Sequence, residues 1–141
     1  MDSGYVTLYL IRHVRQSSRL CNVDVDLSPQ GSRQAALVGQ RLAGADIRIV
    51  YSSALIRAEQ TARIANERWN VEHVVEPDLR EIDFGQMEGL SDEEIRLRFK
   101  DFKREQQKME EDLPYPGGEC AGDVIRRVMP VLRRIGRGTE G

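Results

Sequence analysis

The chain has 141 residues, 40% hydrophobic and 31% charged, with a net charge of −2. That size fits a single domain over residues 1–141 with its own core. The interspersed signs exclude an overall field that would recruit nucleic acid or an anionic membrane. Cys21 and Cys120 stand far apart without a CxxC or Cys/His spacing, so neither a disulfide framework nor a zinc site is indicated, and a reducing, cytoplasmic setting is expected. The N-terminus has no basic n-region or small-residue cleavage site, and no segment is long enough to span a membrane.

The first element is an apolar, β-branched run from Tyr5 to Ile11 with little alternation, which predicts a strand covered on both faces of a parallel sheet. Residues 14–26 are polar and irregular. A helix follows, with Ser28 as N-cap, Pro29 at its first position and Ala35, Val38 and Leu42 at helical spacing. A second strand is expected over 47–53, its terminal serines placed to cap the next helix, which carries Leu55, Ala58, Ala62, Ala65 and Trp69 along one face. A third short strand at 72–76 completes a strand and helix alternation that predicts an α/β fold.

Residues 77–91 read as a loop punctuated by Pro77, Gly85 and Gly89. A highly charged helix from Asp92 to Met109 has only Ile95, Phe99 and Phe102 as its apolar stripe. After the loop "LPYPGGE" comes a last helix with Val124, Val128, Val131, Leu132 and Ile135 facing the core. Pro130 lies inside this pattern and predicts a kink or break.

The chemistry concentrates at strand ends. Arg12 and His13 follow the first apolar run, and "SSALIR" follows the second, so Arg57 belongs beside them if both ends open into one crevice. Two guanidinium forks beside an imidazole suit a phosphoryl group, whose oxygens they match bidentately. A neutral histidine can attack phosphorus, and a carboxylic acid is then needed to protonate the leaving oxygen. Singly, each of these residues is commonplace; Glu81 and Glu88 alone read as solvent-facing turn residues.

Their order is more informative. "LIRH", "LSPQGSRQA", "YSSALIRAEQTA", "LREIDFGQMEG" and "YPGGE" resemble, collinearly and over nearly the whole chain, the histidine phosphatase superfamily, also called phosphoglycerate mutase-like. The resemblance implies a three-layer α/β/α fold with a mainly parallel sheet. It implies His13 as the phosphorylated nucleophile, Arg12 and Arg57 as phosphate-binding residues and Glu81 as the proton donor, with neither cofactor nor metal. Glu88 looks like a loop-stabilising residue, and Cys120 stands where the family usually has a helix-capping serine, which predicts a weaker helix start.

Two departures stand out. Val14, Arg15, Gln16 and Ser17 replace the usual glycine-containing continuation after the histidine, and Asn22 lies further along than expected. The second family histidine belongs to a strand following the last helix, whereas this sequence ends "RRIGRGTEG" and its other histidine, His73, falls in the wrong segment, so the fold is expected to be C-terminally incomplete. Either the chain is a fragment, or a shortened relative that completes its sheet with another chain; a homo-oligomer stays open. The expected function is hydrolysis of a small-molecule phosphomonoester or a phosphoprotein through a phosphohistidine, with weak turnover by these residues alone. The alternative is a catalytically impaired phosphate-binding or protein-interaction module.

Overall fold

The computed structural model describes residues 5–138. Helix α1, Pro29–Arg41, begins as its sequence predicts, with the Ser28 hydroxyl accepting from Gly31 N at 3.0 Å. Strand β1, Ile49–Ser52, is followed by α2, Ile56–Trp69, and then by β2, Glu72–Val75. The two strands pair in parallel, Ile49 opposite Glu72 and Ser52 opposite Val75. This is the expected α/β class with a parallel sheet and crossover helix.

Helices α1 and α2 pack on each other through Ala35, Ala62 and Ala65, all buried, and the Trp69 indole donates to Gly39 O at 3.1 Å. Small residues let the two backbones approach closely. The serines after β1 do not cap α2: its start at Ile56 N is satisfied instead by Asp24 Oδ1, at 2.7 Å, from the 14–26 loop.

The predicted first strand is absent. Residues 5–11 have no ladder partner, and Tyr5 and Leu10 are 90% and 80% exposed. A strand exists only through hydrogen bonds to a neighbour. Neither β1 nor β2 supplies them, so apolar composition alone leaves the segment without regular structure.

The charged helix is two helices, α3 at Asp92–Arg98 and α4 at Lys100–Gln107, interrupted at Phe99. By contrast, the last helix, α5 at Ala121–Arg137, runs unbroken through Pro130. Pro130 lies on its exposed face, where the carbonyl deprived of an N–H partner can meet water. Of the predicted α5 stripe, Val131 and Ile135 are buried and the rest half-buried.

At the start of α5 carboxylates accept from the first amides, where the resemblance leads one to expect a serine. Asp112 accepts from Ala121 N at 2.9 Å and Gly122 N at 2.7 Å, and Asp123 accepts from Cys120 N at 3.0 Å. These contacts hold the Asp112 carboxyl below its usual range and bring Asp123 to about 2, the Cys120 amide being the largest cause. Among the described residues no helix is long and apolar enough to cross a membrane.

Candidate active site

A cleft of about 850 Å³ opens between the 12–22 loop, the start of α2, the 81–87 loop and the facing side of α3 and α4. Arg12, His13, Arg57 and Glu81 all line it. The fold thus brings three separate stretches of the chain, at 12–13, 57 and 81, to one cavity.

His13 is half-buried, and its Nδ1 lies 2.8 Å from Val14 O. A carbonyl can only accept, so Nδ1 carries the proton in this contact and the neutral ring keeps its lone pair on Nε2. Val14, the departure from the glycine pattern, contributes only its backbone here. Its N–H donates to Thr61 Oγ1 at 3.4 Å, and Thr61 in turn donates to Arg57 O at 2.7 Å. The backbone after His13 is therefore tied to α2. On its other side the loop is tied to α1, since Ser28 N and Oγ both donate to Arg15 O, at 3.0 and 3.1 Å. Gly31 is required there, because a Cβ at that position would collide with the same carbonyl.

Arg57 is 2% exposed. Its Nη1 donates to Val23 O at 3.2 Å and its Nη2 to Asn22 Oδ1 at 2.7 Å. These bonds engage two of the five N–H donors of its guanidinium. Asn22 sits in the left-handed region at φ 46°, which asparagine tolerates, and its Nδ2 donates to Glu88 Oε1 at 2.7 Å. The sequence assigned no role to Asn22; its place in the chain Arg57–Asn22–Glu88 depends on a loop conformation that spacing does not reveal. Glu88 also accepts from Phe84 N at 3.3 Å and holds the loop, as expected for it.

Glu81 is exposed and accepts from Ile82 N at 2.9 Å. What fixes its loop is Arg127 of α5, which donates to Asp78 O, Arg80 O and Glu81 O at 2.8 to 3.0 Å and pairs with Glu119 at 2.8 Å. Glu119, in turn, accepts from Asp83 N at 2.9 Å. Both side chains are largely buried, 12% and 17% exposed. The Arg127 hydrogen bond is the main reason that the Glu119 carboxyl titrates below its ordinary range. Nothing in the linear pattern singles out Arg127 from Arg126 and Arg133 of the same helix, which are exposed.

Cys21 lines the same cleft, tied by its N–H to Leu90 O at 2.9 Å. Burial, then the Glu88 carboxylate, push its thiol up, against an opposing pull from Lys103. His73 stays out of the cleft: its Nε2 meets Ser52 Oγ at 2.8 Å across the sheet.

The fold and cleft define an α/β protein with a cavity lined by several arginines and by His13. The profile of the histidine phosphatase superfamily, branch 1, matches residues 8–141, and the chain belongs to that superfamily. A 2,3-bisphosphoglycerate-dependent phosphoglycerate mutase of Methylobacterium sp. (strain 4-46) is 32% identical over 93% of this chain and 70% of its own length. Phosphoserine phosphatase 1 of Hydrogenobacter thermophilus is 33% identical over 92% of this chain and 64% of its own. Among solved structures, mycobacterial glucosyl-3-phosphoglycerate phosphatase in complex with VO3 superposes with a TM-score of 0.80 at 28% identity, covering 91% of this chain and 63% of that one. The chain thus spans roughly two thirds of the proteins it resembles.

Proposed function

We propose that the cleft hydrolyses a phosphomonoester through a phosphohistidine. The observation that carries this reading is the His13 ring, whose Nδ1–H is held by Val14 O so that the Nε2 lone pair is left for the cavity it shares with Arg12, Arg57 and Glu81. In the first step Nε2 attacks phosphorus while the ester P–O bond breaks, and the leaving oxygen takes the proton of a neutral Glu81 carboxyl. In the second, the Glu81 carboxylate takes a proton from water, the water oxygen attacks phosphorus, and the P–N bond breaks to release phosphate. Arg12 and Arg57 neutralise the charge that shifts among the phosphoryl oxygens. No step requires a metal or cofactor. Two cysteines 99 positions apart, with no CxxC or Cys/His spacing, fit a reducing, cytoplasmic setting.

A second reading is supported by a specific observation: among the described residues, His13 is the only histidine lining the cleft. In that reading the arginines hold an anion and turnover is lost, leaving a phosphate-binding module. His13→Ala separates the two. Under the enzymatic reading it removes phosphatase activity toward an aryl phosphate and keeps phosphate binding. Hydrolysis that survives His13→Ala overturns the phosphohistidine route, and a wild-type chain that binds phosphate without forming a phosphoenzyme establishes the module.

A further inference from the structure

The segment that leads to Arg12 and His13 has no neighbour of its own. Residues 5–11 read YVTLYLI, all β-branched, aromatic or aliphatic, without a charge, a proline or a glycine. A stretch of this composition is ordered by pairing, and left exposed it is a template for another chain. Neither β1 nor β2 takes it as a neighbour, and every residue from Tyr5 to Ile11 is exposed. The isolated bridge between Gln16 and Leu27 lies beyond it and leaves its backbone groups open.

The segment is complementary to itself. Side chains alternate along an extended strand, so Val6, Leu8 and Leu10 share one face, and Tyr5, Thr7, Tyr9 and Ile11 the other. When two copies run antiparallel about Leu8, Leu8 meets Leu8 and Val6 meets Leu10 on the first face. On the second, Thr7 meets Tyr9 and Tyr5 meets Ile11, which are the aromatic and β-branched pairs that stabilise a ladder. An in-register parallel pair would instead set Arg12 beside Arg12, a like-charge contact that the antiparallel pair avoids by placing the two arginines at opposite ends.

From this we infer that residues 5–11 are a dimerisation surface, and that their partner is the same segment of a second copy of this chain, paired antiparallel about Leu8. A contact between identical segments about a two-fold axis is isologous and closes at two copies. The exposed area is sufficient: the accessible surface exceeds that of a compact monomer of this mass by about 2,600 Å², whereas a specific interface takes about 800 Å² from each partner. The two His13 residues follow opposite ends of the pair, so each copy keeps its own cleft. The pairing is independent of the phosphoryl chemistry at His13, and the exposed Leu97 of α3 and Ile125 of α5 take no part in it.

The test is the mass in solution by sedimentation equilibrium over a range of chain concentrations. The full chain is expected at twice its 16.1 kDa and to dissociate on dilution. Leu8→Lys, which sets two like charges across the two-fold axis, should return the mass to that of one chain, while Ile125→Lys, at an exposed apolar position of α5, should leave the dimer intact. The register is read separately by oxidative cross-linking in a chain without its own cysteines, Cys21→Ser with Cys120→Ser. There Leu8→Cys should form a disulfide-linked dimer and Leu37→Cys, exposed on α1, should not; this arm holds even where Leu8→Lys fails to fold. A single-chain mass at every concentration, open-ended assemblies, a dimer that survives Leu8→Lys or is lost in Ile125→Lys, or a Leu8→Cys chain that links no better than Leu37→Cys each overturns the pairing.

Discussion

At the scale of single residues, Arg57 shows what sequence can and cannot reach. Its position after the second predicted strand puts it beside Arg12 and His13 if both strand ends open into one crevice, and it lines the cleft with them even though residues 5–11 form no strand. The partners that aim it were not readable: Asn22 takes part only because residue 22 adopts a positive φ, a property of the folded loop. Asn22→Ala removes the acceptor of a charged hydrogen bond, and about tenfold weaker phosphate binding is expected by titration; unchanged affinity would show that Arg57 is positioned without it. Met87 is 1% exposed beneath the cleft, and Met87→Ala should destabilise the chain by about 2–5 kcal/mol in denaturant unfolding. The raised Cys21 thiol stays protonated at neutral pH, so iodoacetamide should label it slowly at pH 7 and faster only as pH rises beyond the range of an ordinary cysteine. Rapid labelling at pH 7 would contradict the burial and carboxylate effects described.

At the scale of elements, α5 acts on the cleft through Arg127, which gathers the carbonyls of Asp78, Arg80 and Glu81. Arg127→Ala is expected to loosen the Glu81 loop. If Glu81 is the acid, hydrolysis of an alkyl phosphate, whose leaving oxygen needs a proton, should fall much more than that of an aryl phosphate, which leaves readily. An equal fall for both would mean that Arg127 only supports the fold. The Glu119–Arg127 pair also sets a pH dependence. Because the folded Glu119 carboxyl titrates below its ordinary value of 4.5, its contribution is present above that pH and lost as pH falls below it. The protection factor of the Asp83 amide, whose N–H Glu119 accepts, should therefore fall as pH drops below about 4.5; a protection factor that is constant across this range would separate the pair from the loop. The start of α1 was readable from Ser28 and Pro29, which are local signals. The start of α5 after the "LPYPGGE" loop was readable as well, but its cap was not, because that comes from Asp112, nine residues before the amide that it satisfies.

At the scale of the whole molecule, the parallel α/β class was readable from alternating apolar and helical periods, whereas the first strand was not. Residues 5–11 have strand composition, but pairing is a long-range property, and neither β1 nor β2 provides it. The accessible surface is 9986 Å², against about 7,400 Å² expected for a compact monomer of this mass. Much apolar surface, from Tyr5 to Ile11 and at Leu97, Met109 and Ile125, is open to solvent. The isolated chain is therefore expected to enhance the fluorescence of a hydrophobic dye in native buffer; no enhancement would show that this surface is covered in solution.

The central claim is that His13 accepts a phosphoryl group. Its most direct test is intact and fragment mass spectrometry of the chain after brief exposure to a reactive small phosphoryl donor, quenched at alkaline pH to preserve phosphohistidine. The account predicts the mass of one added phosphoryl group, located on His13 and absent in His13→Ala. Phosphate on another residue, or none at all while the protein demonstrably binds phosphate, would contradict it.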